Sequence, residues 1–472
     1  MSVLIEAREV AVDGPQGRLV EPVSLTLRPG VPLTIVGETG SGKSLLMQAL
    51  MGTLPAGLQA RGSARIDGED FDLSAPGNMR RLWGRTIAVL PQEPWLALDP
   101  LMRAREQVAE VHHLVSLETA GGAHADADLE TVGLARAAAR LPGELSGGMA
   151  QRLAFSAARA GGATIQFADE PTKGLDTAMR DGIADLLIGR LGAEGGLLTV
   201  THDLDLARRI GGELMVMLKG RIVEQGPASR LLAAPSHDYT RRLVAAQPSN
   251  WARRQGSQGS EAAVISARGL SVVRGGVRLF DGVDLDLRPG AITGILGRSG
   301  CGKTSLGNAL LGLVPLSGGH VSRDPSILSH RFQKLWQDPP SAFARTQTIG
   351  RELNALARLH RVDRQRMDRL LKRLRLSPEL LKRPPGQVSG GELQRIALMR
   401  ALMVDPVFLF ADEPTSRLDL ITQQEVIDML GEVVREEKLA LLIVSHDGDL
   451  LERFCDDVVK LDHRDGTARQ SN

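Results

Sequence analysis

The sequence predicts an α/β protein in which one domain is written twice. Two glycine-rich stretches, GETGSGKS at Gly37–Ser44 and GRSGCGKT at Gly297–Thr304, each follow a short apolar run and precede a helix-like one, the order strand, loop, helix. Five further stretches recur in the same order: LPQEP and LWQDP, LSGGMAQR and VSGGELQR, FADEPT twice, GLD and RLD, VTHD and VSHD. Such collinear self-similarity marks a duplicated unit. Apolar runs ending in acid and proline, TIQFADEP and PVFLFADEP, alternate with helical-looking segments, as buried strands of a mainly parallel sheet do.

The copies lie 260 residues apart at Lys43 and Lys303 but 243 apart at Ser146 and Ser389. One deletion in the second copy, between the glycine-rich loop and LWQDP, accounts for the drop. Residues 246–262 are polar and carry Gly and Ser, and are expected to form a flexible link. It would join a first domain at 1–245 to a second at 263–472. Residues 95–145 and 339–388 are rich in helix formers and are expected as a helical insert in each copy.

Composition excludes several classes. The 57 Lys and Arg nearly cancel the 56 Asp and Glu, for a net charge of +1, which suits a nucleic-acid binder poorly. Two cysteines, Cys301 and Cys455, exclude a disulfide framework or a cysteine-rich metal cluster and fit a reducing compartment. The start MSVLIEAREV has no signal-peptide core, and no apolar run approaches the ~18 residues that a membrane span needs.

The motifs then read as chemistry. A triphosphate is polyanionic and needs donors without bulk, so glycines that bring backbone amides and a helix N-terminus to it are the expected cradle. That assigns Gly37, Glu38, Thr39, Gly40, Ser41, Gly42, Lys43 and Ser44 in the first copy, and Gly297, Arg298, Ser299, Gly300, Cys301, Gly302, Lys303 and Thr304 in the second. Lys43 and Lys303 would reach the β- and γ-phosphates, and Ser44 and Thr304 would ligate Mg²⁺. A plain glycine-rich turn before a helix explains two such matches less well than it explains one. In ADEP, Asp169 and Asp412 would hold the Mg²⁺ shell, and Glu170 and Glu413 would polarise the attacking water; the plain alternative is a solvated acidic turn. His202 and His446 would orient that water at the γ-phosphate, or else are ordinary strand-end histidines. Gln92 and Gln337 would touch Mg²⁺ or its water, or are plain loop residues. Ser146, Gly147 and Gly148, with Ser389, Gly390 and Gly391, form a second anion-binding helix start, or a simple N-cap. Cys301 stands beside Lys303 at a helix N-terminus, where a thiolate is favoured, although a small residue filling a small place is an equal reading.

This set resembles the nucleotide-binding domains of ABC ATPases, with Walker A, Q-loop, LSGGQ-type signature, Walker B, D-loop and H-loop motifs, over nearly the whole chain, twice. The resemblance implies two P-loop ABC ATPase domains in tandem. Each would have a RecA-like α/β core, an antiparallel β subdomain and a helical signature subdomain, with ATP and Mg²⁺ as cofactors. It also implies that the P-loop of one domain works with the signature of the other, making two sites per chain. HDYTRRL within Lys219–Ala246 is similar to the HPYTRxL tail of oligopeptide, dipeptide and nickel importer ATPases, and GRSGCGKT and LERFC resemble the second ATPase of nickel-type importers. That points to a peripheral subunit on the cytoplasmic face of the inner membrane, with two permease subunits and, indirectly, a solute-binding protein as partners. A soluble tandem ATPase of the translation-factor kind, or a sugar-importer ATPase, fits less well. The link is short, the charge is neutral and the second P-loop is intact.

Three departures stand out. VAVDGPQG and LSVVRGG lack the aromatic residue that usually stacks on adenine, which predicts loose base selectivity. The signature ends in Met149 or Glu392 instead of Gln. Gln166 interrupts an apolar strand and predicts incomplete burial there.

Overall fold

The computed structural model describes residues 3–117, 121–173, 175, 177–189, 191–254, 262–298, 300–416, 418–461 and 468–470. Ser299, the expected D-loop residues Gly174, Asp176 and Arg417, and 255–261 of the expected link lie outside the described residues. The chain divides into two compact units, Met1–Ala245 and Ala246–Asn472.

In the first unit the strands are β1 (Ile5–Gly14), β2 (Gly17–Leu27), β3 (Leu33–Gly37), β4 (Gln59–Ile66), β5 (Glu69–Asp72), β6 (Ile87–Leu90), β7 (Ile165–Asp169), β8 (Gly196–Thr201), β9 (Glu213–Leu218) and β10 (Arg221–Pro227). The helices are α1 (Lys43–Met51), α2 (Ala104–Leu114), α3 (Gly121–Thr131), α4 (Gly147–Arg159), α5 (Thr177–Gly189), α6 (Leu204–Ile210), α7 (Ala228–Ala233) and α8 (Asp238–Ala245). An antiparallel sheet, β2-β1-β4-β5, packs beside a six-stranded sheet ordered β10-β9-β3-β8-β7-β6. All pairs of the larger sheet are parallel except β10 with β9. β3 and β8 are buried along their whole length, which is why their sequences are continuous apolar runs without alternation. One core joins α1 to both sheets. A second gathers α2, α3 and α4 around the far end of β6 and β7, so the expected helical insert is present.

The second unit repeats this plan. Its strands are β11 (Ile265–Arg274), β12 (Val277–Leu287), β13 (Ile292–Leu296), β14 (Gly318–Arg323), β15 (Phe332–Leu335), β16 (Phe408–Asp412), β17 (Ala440–Ser445), β18 (Asp457–Leu461) and β19 (Ala468–Gln470). Its helices are α9 (Lys303–Leu310), α10 (Ile349–Leu359), α11 (Arg364–Arg373), α12 (Gly390–Leu402), α13 (Leu420–Glu437) and α14 (Gly448–Phe454). The large sheet runs β15-β16-β17-β13-β18-β19, the same order as in the first unit. The antiparallel sheet has three strands, β12-β11-β14, instead of four. The counterpart of β5 is the missing piece, which explains the deletion inferred from the spacing.

Two expectations need correction. Residues 246–254 are not a free link: the Arg254 amide donates to the Arg453 carbonyl at 2.8 Å, the Arg254 guanidinium lies 5.7 Å from the Phe454 ring centroid, and Trp251 packs on the second unit's core. The polar composition concealed that Trp251 and Arg254 have partners on α14. Gln166 is only 7% exposed; its neighbours in the parallel sheet bury it regardless of its polarity, and its Nε2 finds no partner among the described residues.

Candidate functional site

Each P-loop is a strand-to-helix turn that closes on its own lysine. Gly42 and Gly302 cap the helices α1 and α9 with φ of 103° and 101°, a region that L side chains rarely adopt. Lys43 donates to the carbonyls of Gly37 and Glu38 at 2.8 and 2.9 Å. Lys303 does the same to Gly297 and Arg298 at 2.7 and 3.0 Å. The ammonium groups are thus fixed at the loops, and the lysines are 5% and 7% exposed. Gly40 and Gly300 both sit at φ 81°, with Thr39 beside Gly40 in the exposed turn. Ser41 and Cys301 occupy matching places beneath the loop. Each amide donates within the turn, to Glu38 and Arg298 respectively, and each residue is 1% exposed. Cys301 belongs to the apolar core, which of its two readings favours the small residue filling a small place.

The acidic pair arrives at the ends of β7 and β16, each one strand removed from the P-loop strand of its sheet. Ser44 Oγ donates to Asp169 Oδ1 at 3.0 Å, and Thr304 Oγ1 to Asp412 Oδ1 at 2.9 Å. A hydroxyl and a carboxylate converging from two elements form the oxygen pair that a hard cation prefers, so the residues fit Mg²⁺. Burial pushes both aspartate carboxyls above their usual range against the opposing hydroxyl bond, and the adjacent glutamate charge adds to the rise. Glu170 and Glu413 follow with φ of 46° and 45°, a strained conformation for a side-chain-bearing residue. Their amides donate back to Val200 and Val444. The left-handed turn ends the strand and turns the chain at the second acid in both copies.

The two glutamates are held differently. Glu170 Oε2 lies 2.8 Å from His202 Nδ1 and accepts from Thr201 Oγ1 at 3.1 Å and from the His202 amide at 3.3 Å. Glu413 Oε2 lies 3.7 Å from His446 Nδ1 and accepts from Gln337 Nε2 at 2.9 Å. Burial raises both carboxyls, but the histidine contacts outweigh it with help from the P-loop lysine, and both stay below the ordinary glutamate value. Both are therefore ionised at neutral pH. The histidines stand against the glutamates, which supports a positioning part. Gln92 is half-buried, and no bond from it to Glu170 accompanies the one that Gln337 makes.

The signature serines cap helices. Ser146 Oγ accepts from the Met149 amide at 3.4 Å at the start of α4, with Gly147 and Gly148 as the first residues of the helix. Ser389 caps α12 in the same way, ahead of Gly390 and Gly391, but also donates to Glu392 Oε2 at 2.6 Å while its amide donates to the same oxygen at 3.1 Å. Glu392, at the signature's variant position, therefore closes a capping box.

Three contacts were missed by sequence reasoning. Tyr239 on α8 accepts from the Glu38 amide at 2.8 Å, so the first unit's tail reaches its P-loop. Glu224 anchors that tail, accepting from Ser236 Oγ at 2.6 Å and from the Ser236 and His237 amides at 2.8 and 3.2 Å. Lys334 on β15 lies 3.3 Å from Asp412 Oδ2. Comparing the two halves would have shown Lys334 against Val89; nothing local would have revealed the Tyr239 contact.

A duplicated P-loop α/β core whose strand edge presents a lysine, a hydroxyl and two acids defines a tandem nucleotide-binding ATPase. The ABC transporter family model matches residues 20–173 and 280–416, and the chain belongs to that family as a tandem ATP-binding protein. The peptidoglycan transport ATP-binding protein YejF of Agrobacterium fabrum is 33% identical, covering 98% of this chain and 91% of its own length. The glutathione import ATP-binding protein GsiA of Salmonella typhi is 32% identical, covering 94% of this chain and 81% of its own length. Among solved structures, RNase-L Inhibitor matches with a TM-score of 0.67 at 20% identity over 98% of this chain and 90% of that one. That likeness is one of fold.

Proposed function

We propose that this chain is the ATP-hydrolysing subunit of an importer for peptides or a related small solute such as glutathione. The observation that carries it is the completeness of the machinery in both units, joined to near-full-length similarity to proteins named for peptidoglycan transport and glutathione import. The partners would be two permease subunits and, through them, a solute-binding protein. Among the described residues no helix is long and apolar enough to cross a membrane, so the reading places the chain at the membrane through those permeases, on the face where ATP is available.

In this reading Lys43 and Lys303 hold fixed positive charge at the terminal phosphates. Ser44 with Asp169, and Thr304 with Asp412, would hold Mg²⁺, with Gln92 and Gln337 touching it or its water. When bound, Mg²⁺ would supply neutralisation of the triphosphate's charge. Glu170 and Glu413, ionised and turned out by their left-handed backbone, accept the proton of the attacking water. His202 and His446 hold those carboxylates in place. Ser146 to Gly148 and Ser389 to Gly391 would offer helix N-termini to nucleotide phosphates.

The test is uptake in a strain lacking this chain, complemented with the parent or with the Glu170→Gln/Glu413→Gln variant, using labelled glutathione and labelled cell-wall peptides. Restoration by the parent alone is expected for one of them. Co-purification with ribosomes, without any permease, would overturn the importer reading.

A further inference from the structure

The two Walker B aspartates differ in one respect that their motifs do not show. In the sheet register Lys334 stands opposite Phe410, as Val89 stands opposite Phe167, so lysine and valine occupy the same place in the two units. Lys334 Nζ lies 3.3 Å from Asp412 Oδ2, donates to Asn308 Oδ1 at 2.9 Å, and lies 4.4 and 5.2 Å from the ring centroids of Trp336 and Phe410. The side chains of Lys334 and Asp412 are 7% and 4% exposed, so this is a buried, built-in cation. In the first unit the residue five positions after the P-loop lysine, matching Asn308, is Gln48. Its Oε1 is buried without a hydrogen-bond partner among the described residues, as expected where the facing residue is a valine. Among the described residues no cation ion-pairs with Asp169.

We propose that Lys334 is a resident counter-charge that makes the second nucleotide site less dependent on a divalent cation than the first. The inference rests on the reading of Asp169 and Asp412 as the Mg²⁺-holding acids. With metal absent, Asp169 meets an incoming triphosphate with only the more distant charges of Lys43 and Lys173 to temper it, while Asp412 carries an ion pair with Lys334 at Oδ2. With metal present, Lys334 repels it, so the second site gains less from Mg²⁺. Fixed charges a few ångströms apart in a partly buried site couple by about tenfold or more. Lys334 is a positioning residue, since it acts through Asp412.

The experiment measures binding and needs no turnover. A fluorescent N-methylanthraniloyl ATP is titrated into the full chain with excess Mg²⁺ and with EDTA, and the ratio of the two dissociation constants is taken for each site. Lys43→Ala isolates the second site and Lys303→Ala the first. The expected ratio is at least about tenfold smaller at the second site. Lys334→Val in the Lys43→Ala chain raises it towards that of the first site, and Val89→Lys in the Lys303→Ala chain lowers it, with Gln48 as the ready acceptor. The reciprocal change keeps the test open if Lys334→Val unfolds, because the first unit shows that a buried aspartate tolerates valine in that place. Equal ratios at the two sites, or a ratio unmoved by Val89→Lys, overturn the inference. A Lys43→Ala chain that binds no nucleotide under either condition overturns the site assignment itself.

Discussion

The two units share every motif that touches phosphate, yet they brace those motifs with different neighbours. In the first unit the support comes from the tail, where Tyr239 takes the Glu38 amide, and from the end of β8, where Thr201 and His202 bind Glu170. In the second unit it comes from the Q-loop side: Gln337 holds Glu413 and Lys334 holds Asp412. Duplicated domains keep what the triphosphate dictates and drift in what merely holds it in place. The chemistry should therefore be alike in kind at the two sites, while nucleotide affinity and metal dependence differ.

The largest effects test the likeness. Glu170→Gln and Glu413→Gln each remove the proposed general base, and loss of turnover of about 100-fold or more is expected with ATP still bound. Phosphate release from the assembled transporter checks it. If only one substitution has this effect, the unit carrying the silent one is a bystander. Lys43→Ala and Lys303→Ala come next. Each removes a charged donor, and about a tenfold to hundredfold loss of ATP affinity is expected at its own site alone, read by equilibrium binding.

Smaller effects sharpen the difference. Tyr239→Phe deletes one hydrogen bond, worth about 1 kcal/mol or roughly fivefold in affinity. It should weaken nucleotide binding at the first site and leave the second untouched; equal effects at both would mean that the tail does not act through Glu38. The tail also has a pH signature. Burial raises the Glu224 carboxyl, but its bonds to the Ser236 hydroxyl and to the Ser236 and His237 amides bring it down to about 2, against an ordinary 4.5. A depressed acid contributes stability that is complete above its ordinary value and is lost as pH falls through 4.5 towards 2. Amide protection factors over residues 228–245, taken against the intrinsic exchange rate at each pH, should therefore fall between pH 4.5 and 2 in the parent and be low throughout in Glu224→Gln.

What the sequence made legible follows the same division. The P-loops, the acidic strand ends, the duplicated topology and a deletion in the second copy were readable because phosphate and parallel-sheet geometry restrict short contiguous stretches. Lys334 was not, because its meaning depends on a register that sets it beside a strand 78 residues further on. Tyr239 and Glu38 are 201 residues apart, and no local pattern announces such a contact. Gln166 was misread, and the two readings of Cys301 stayed open, because burial is set by neighbouring elements and not by the residue's own chemistry; 246–254 was misread because Arg254 docks on α14 and Trp251 on the second unit's core.

The central claim is that one chain carries two complete ATP sites. The most direct measurement is the number of labelled ATP molecules retained, with Mg²⁺, by the Glu170→Gln/Glu413→Gln chain assembled with its permease partners. The account predicts two per chain, falling to one when either Lys43→Ala or Lys303→Ala is added. One per chain in the double glutamine variant, unaffected by one of the lysine changes, would contradict it.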